Sequence, residues 1–168
     1  SYNEQYNTNY KCLMPTNTFG PNDNYHKVNS HFIPALIRKI YNLKIIKKKN
    51  ILIWGDGSPK REIIYVDDIA DACIYFMNKK TNKSLINIGT GYDMTIKQYV
   101  EYFLKILLPN KKIKIIFDKT KPNGTPRKLM DVSLAKKYGW KYKTELKDAV
   151  LKTFEYYSSI NKREENSI

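Results

Sequence analysis

This sequence predicts an α/β fold, and two observations carry the prediction. Short apolar runs of strand type alternate along the chain with segments whose apolar residues recur at helical spacing. Clusters of Gly, Pro and Asn punctuate the boundaries, as a layered strand–helix architecture requires.

Taken in order, SYNEQYNTN reads as the end of a helix. Tyr10–Met14 (YKCLM) reads as a short buried strand that stops at Pro15, where a ladder would lose a donor. Residues 15–30 form a polar loop rich in Asn, Pro and Gly; so long a loop in a compact domain usually binds something. Ser30 is placed to cap a helix whose apolar stripe is Ile33, Leu36, Ile37, Ile40 and Tyr41. Pro34 falls in its first turn, where its missing N–H costs nothing, and Lys44 with Lys47–Lys49 suits its C-terminal end. Ile51–Trp54 and Glu62–Val66 read as strands around the turn GDGSPK. Asp67 is placed to cap a helix with Ile69, Cys73, Phe76 and Met77 inward. Leu85–Gly89 is a further strand. Thr95 and Gln98 form a capping box for a helix with Ile96, Val100, Phe103, Leu104 and Leu107 on one face. Lys114–Phe117 is a strand, residues 118–131 a loop, and Thr144 opens a last helix with Leu146, Val150, Phe154 and Tyr157 inward. Residues 161–168 read as a frayed tail.

Composition excludes several classes. The chain has 168 residues, 42% hydrophobic, 13% aromatic and 27% charged, which is a globular balance. No apolar run approaches the ~18 residues needed to span a bilayer, and no signal or transit pattern opens the sequence. Cys12 and Cys73 cannot build a disulfide framework, and no zinc-type Cys/His spacing exists, so a reducing, cytoplasmic setting without a metal is expected. Thirty Lys and Arg against 16 Asp and Glu give a net charge of +14. Such a charge invites nucleic-acid binding, yet the excess is lysine spread over helices and loops with no RNP-type aromatic motif beside it. A solvated lysine-rich surface is the better account, and no nucleic-acid partner is expected.

Four segments carry chemistry. They are MPTNTFGPNDNYHKVNSHFIPALIRK (14–39), WGDGSPKREIIYVDDIADA (54–72), INIGTGYDMTIKQ (86–98) and KPNGTPRKLMD (121–131). In this order they resemble the C-terminal half of the GDP-L-fucose synthase family, within the extended short-chain dehydrogenase/reductases, over nearly the whole chain. The resemblance implies the end of a Rossmann NADP domain (residues 1–30), a small α/β substrate domain (mainly 31–160) and a flexible tail (161–168). It implies NADPH-dependent 3,5-epimerisation and 4-reduction of GDP-4-keto-6-deoxy-D-mannose, and a homodimer when complete.

Residue by residue, His31 matches the family's epimerisation acid near the cofactor; imidazole titrates near neutrality, which suits proton transfer. Pro15, Thr16, Asn17 and Thr18 match the segment at the nicotinamide end of NADP, where short polar groups can hold a carboxamide. Lys39, Trp54, Arg61 and Lys128 match the sugar-nucleotide contacts, since a diphosphate needs fixed cations and guanidinium offers a bidentate fork. Trp54 also has the commoner reading of a core tryptophan. Relatives carry Arg where Lys39 stands and Asp where Asn123 stands, and Asn123 is kept as a substrate-binding candidate. Asp67 and Asp68 read as structural. The sequence holds no G-x-x-G-x-x-G loop, and Tyr75-Phe-Met-Asn-Lys79 copies Tyr-x-x-x-Lys in the wrong place. The family's own copies of both motifs lie upstream of Ser1, so the 168 residues are expected to be an incomplete segment without turnover. Another NAD(P)-dependent sugar-nucleotide epimerase or dehydratase, or a non-catalytic sugar-nucleotide-binding module, are the alternative readings.

Overall fold

A computed structural model describes residues 2–165, with side chains to residue 161. In chain order the elements are α1 (Tyr2–Tyr6), β1 (Cys12–Pro15), β2 (Asn17–Phe19), α2 (Phe32–Ile46), β3 (Asn50–Trp54), β4 (Lys60–Tyr65) and α3 (Val66–Asn78). There follow β5 (Leu85–Ile88), β6 (Asp93–Thr95), α4 (Ile96–Leu107), β7 (Lys114–Asp118), β8 (Arg127–Lys128), α5 (Ser133–Lys137) and α6 (Leu146–Glu165). The α/β class stands as the sequence predicts it.

Among the described residues, the strands form three small groups. β1 pairs in parallel with β5, and β3 in parallel with β7. β4 is the hub of the third group. Its second half pairs in parallel with β2 (Asn17↔Ile63 to Phe19↔Tyr65), and its first half takes β6 antiparallel and β8 in parallel. Parallel pairs need long crossovers, and helices supply them here.

Two cores result. The larger packs α2, α4 and α6 over β3 and β4, with Ile37, Ile40, Val100, Phe103 and Val150 fully buried. The helical stripes read from the sequence are the faces buried here. The Thr95–Gln98 capping box is present: the Gln98 amide donates to Thr95 Oγ1 (3.1 Å) and the Thr95 amide to Gln98 Oε1 (2.8 Å). The smaller core joins Ile64, Ala72, Phe76, Ile86, Ile88, Ala135 and Trp140.

Several expectations need correction. β1 is mostly exposed, and Cys12 with it, because β5 is its only partner among the described strands. Helix α2 starts one residue later than expected, with His31 rather than Ser30 at the N-cap and no side-chain cap bond. Helix α3 follows β4 directly, with Tyr65 as its cap. Asp67 therefore caps nothing and lies in the first turn, where a carboxylate favours the helix dipole. The inner face of α3 runs Asp68, Ala72 and Phe76, which leaves Cys73 and Met77 outside. The 15–30 loop contains β2 and the 118–131 loop contains β8, while α6 continues through residues 161–165 in place of a frayed tail. Residues 166–168 of that expected tail lie outside the described residues.

Candidate functional site

β4 gathers most of the candidate residues. Arg61 stands directly across the ladder from Lys128 of β8, so two cations share one register position. The Arg61 guanidinium is partly buried, and Nη1 donates to the Thr125 carbonyl (2.6 Å) and the Lys60 carbonyl (2.7 Å). Two short bonds thus aim the fork before any ligand arrives, while Lys128 stays exposed. On the other side of Arg61, the buried Tyr99 hydroxyl donates to the Arg61 carbonyl (2.9 Å).

Trp54 ends β3 and is 55% exposed, so the core reading of this tryptophan does not apply. Lys121 Nζ lies 5.7 Å from the centre of its ring. Beyond Trp54 the chain turns through Gly55–Gly57, and Asn123 Oδ1 accepts the Asp56 amide (2.8 Å). An aspartate could accept the same bond, so Asn123 retains the structural part of that position. Within the turn, the Ser58 hydroxyl and amide donate to Asp56 and bring its carboxyl pKa down to about 2. Lys39, on α2, spends one ammonium proton on the Leu52 carbonyl (2.7 Å), two residues from Trp54. Partial burial pushes its pKa down, and the neighbouring Arg38 charge adds to this.

The 15–18 segment lies along the other half of β4. The Thr16 amide donates to the Ile88 carbonyl (2.9 Å), and Asn17 Nδ2 and Thr16 Oγ1 both donate to the Glu62 carbonyl (2.7 and 3.4 Å). Asn17 and Thr18 are nonetheless exposed. His31 is exposed at the head of α2, with its carbonyl engaged by the Ala35 amide. Apart from His31 at the head of α2, the site residues fall into two groups. Arg61, Lys128, Asn123, Trp54 and Lys39 surround the β3–β4 turn, and Pro15–Thr18 lie along the far half of β4.

Sequence reading passed over two acids. Glu62 is fully buried, and its carboxylate accepts the amides of Gly91 and Met130 (both 2.7 Å). It lies within the 54–72 segment, but nothing local sets it apart there, because the amides it serves are distant in sequence. Asp23 lies near His31; burial pushes its carboxyl up, while the Asn24 amide and the His31 charge pull it back. Its signal was its place in the polar loop before the histidine.

The cleft beside β4 does not hold these residues. A cleft of about 320 Å³ is lined by Phe19, Tyr65, Tyr92, Tyr99 and Tyr142 among others, with no Lys or Arg in its wall. A diphosphate needs cations, so the open Arg61–Lys128 surface, and not this cleft, is the candidate. Among the described residues, no group of three or more His, Cys, Asp or Glu could hold a metal ion. Tyr75, of the misplaced Tyr-x-x-x-Lys, donates its hydroxyl to the Tyr138 carbonyl (2.7 Å), a structural use.

Two ion pairs brace the surroundings. Asp93 accepts Arg127 Nε (2.6 Å) beside β8, and Asp71 accepts Lys143 Nζ (2.6 Å) together with Trp140 Nε1 (3.0 Å). In each case the cation's hydrogen bond holds the carboxyl below its ordinary range. Depressed carboxyls add stability that is complete above about pH 4 and is lost as pH falls through their lowered values. Urea midpoints are therefore expected to stay level from neutrality to about pH 5 and to fall below about pH 4. Asp93→Asn should flatten part of that fall; an unchanged profile would remove Asp93 from this account.

The sequence profile of the NAD dependent epimerase/dehydratase family matches residues 1–89, from α1 through β5. The chain belongs to that family. The matched part holds Pro15–Thr18, His31, Lys39, Trp54 and Arg61; Asn123 and Lys128 lie beyond it. Among individual relatives, GDP-L-fucose synthase of Escherichia coli K12 is 39% identical over 166 residues, covering 94% of this chain and 51% of the relative. GDP-L-fucose synthase 1 of Arabidopsis thaliana is 42% identical over 144 residues, covering 86% and 44%. Among solved structures, a GDP-mannoheptose C4 reductase from Campylobacter jejuni with NADP bound superimposes with a TM-score of 0.76 at 32% identity, covering 94% of this chain and 55% of that one. The chain spans about half the length of the curated relatives it matches.

Proposed function

We propose that this chain is the sugar-nucleotide-binding part of a GDP-L-fucose synthase-type enzyme. The reaction is NADPH-dependent 3,5-epimerisation and 4-reduction of GDP-4-keto-6-deoxy-D-mannose to GDP-L-fucose. The observation that carries the reading is the register pairing of Arg61 with Lys128, beside an exposed Trp54, in a chain 39% identical to a GDP-L-fucose synthase.

Each residue has a proposed role. Arg61 and Lys128 hold the diphosphate, and Trp54 offers an apolar face to the nucleotide sugar. Lys39 adds a cation at the edge, and Asn123 fixes the turn on which Trp54 sits. His31 donates a proton to the enolate carbon during epimerisation, with Asp23 close by. The Pro15–Thr18 segment fits one end of NADP(H) only: exposed Asn17 and Thr18 offer polar groups for a carboxamide, and the 168 residues contain no glycine-rich loop for its diphosphate. When bound, NADPH supplies the hydride for the C4 ketone. Residues 1–30 are assigned to the cofactor side and residues 31–160 mainly to the substrate side, with β5 returning to pair with β1. The complete protein is proposed to be a cytoplasmic homodimer without a nucleic-acid partner. No helix among the described residues is long and apolar enough to cross a membrane.

Calorimetric titration with GDP, UDP and duplex DNA tests the reading. GDP is expected to bind, and more tightly than UDP. A preference for UDP would move the chain to another sugar-nucleotide epimerase. Salt-steep DNA binding without GDP binding would overturn the proposal.

A further inference from the structure

The ladder between β4 and β8 is only two residues long, Lys60↔Arg127 and Arg61↔Lys128. A pair so short does not hold its own register. Three contacts, at its start, beside it and beyond its end, fix it. The Lys60 amide donates to the Pro126 carbonyl (2.8 Å), and Arg127 is bridged to Asp93 (2.6 Å). At the other end, beyond Lys128, the Met130 amide donates to Glu62 Oε2 (2.7 Å).

Glu62 does more than accept that one bond. Its second oxygen accepts the Gly91 amide (2.7 Å) and lies 3.4 Å from Thr90 Oγ1. Its main-chain carbonyl accepts Asn17 Nδ2 and Thr16 Oγ1. One residue therefore touches the 16–17 segment through its backbone and the 90–91 and 130 segments through its side chain. The carboxylate is fully buried, and Gly89 packs so closely that a Cβ there would land on Oε1. Both oxygens serve as acceptors of amide protons, a pattern that a carboxylate satisfies and a carboxamide does not.

We propose that Glu62 is a positioning residue that sets Lys128 opposite Arg61, so that the two cations meet a nucleoside diphosphate together. It touches no ligand itself. The proposal rests on the reading of Arg61 and Lys128 as the diphosphate site.

Two substitutions disturb the same carboxylate by different routes. Glu62→Gln replaces one acceptor by a donor aimed at an amide. Gly89→Ala leaves Glu62 intact but pushes its carboxylate aside, and the backbone at Gly89 is not in the left-handed region that would strain an alanine. Each is expected to weaken GDP binding about tenfold, the size of one lost charge-assisted hydrogen bond. Lys128→Ala should do the same. The combination of Glu62→Gln with Lys128→Ala should then bind no worse than Lys128→Ala alone, because the lysine is already out of place. Amide hydrogen exchange, measured without nucleotide, should speed up at residues 127–131 in both Glu62→Gln and Gly89→Ala. Losses that multiply in the double variant would overturn the proposal, as would unchanged exchange at 127–131. Failure of the unsubstituted chain to bind GDP would overturn the site reading instead, and the exchange measurement would still decide the role of Glu62.

Discussion

An Arg61→Ala chain is expected to bind GDP about a hundredfold more weakly than the parent, about 3 kcal/mol. The size follows from the geometry. Arg61 is partly buried, its Nη1 is fixed by the Lys60 and Thr125 carbonyls, and Lys128 stands across the ladder from it. A guanidinium held in this way has little rotamer freedom left to lose when a phosphate arrives, so most of its hydrogen bonding appears as affinity. Arg61→Lys serves as the control. It keeps the charge but loses the fork, and should recover only part of the loss. Calorimetric titration of the three chains checks this. Equal affinities for Arg61→Ala and the parent would separate Arg61 from the diphosphate.

Gly57→Ala is expected to cost about 3–5 kcal/mol of folding stability, read from urea unfolding. Two effects combine. Gly57 has φ of +81°, a conformation that disfavours a side chain. A Cβ there would also overlap the Phe117 ring of β7. The Gly57 carbonyl accepts the Lys97 amide (3.0 Å), so the displaced turn would also disturb the start of α4. Gly124→Ala isolates the first effect. Its φ is +72°, but the nearest atom to an added Cβ is Arg61 Nη2 at 3.5 Å, an ordinary contact. It should cost about 1–2 kcal/mol. Equal losses at the two glycines would deny the Phe117 contact any weight.

The helices and the longer strands were legible because burial leaves a period in the sequence. Ile33, Leu36, Ile37, Ile40 and Tyr41 recur at helical spacing, and all five are buried. The elements missed are short. β2, β6, β8 and α5 have two to five residues each, too few for any period to emerge. Their placement depends on residues distant in sequence, as β8 depends on Lys60 and Arg61 of β4. Cys73 and Met77 misled for another reason: α3 is apolar on more than one side, and composition could not say which side faces the core. Among site residues, the cations Arg61 and Lys128 were readable through the motifs around them. Glu62 was not, although it adjoins Arg61, because a buried carboxylate is recognised by the amides that surround it, and those lie 29 and 68 residues away.

The parallel pairing of β3 with β7 has an electrostatic consequence. Lys114 donates its amide to the Lys49 carbonyl (2.8 Å), so the run Lys47–Lys49 and the run Lys111, Lys112 and Lys114 converge at one end of the ribbon. No acidic residue lies between 24 and 55, or between 102 and 117. The fold therefore concentrates like charge at the point where two chain segments must meet, and their mutual repulsion opposes closure of that ribbon. At physiological ionic strength the Debye length is about 8 Å, longer than the ~5 Å between neighbouring strands, so dissolved salt weakens this repulsion only in part. The solvated lysines are thus not neutral in effect: they tie the grip of β3 on β7 to the ionic composition of the surrounding water.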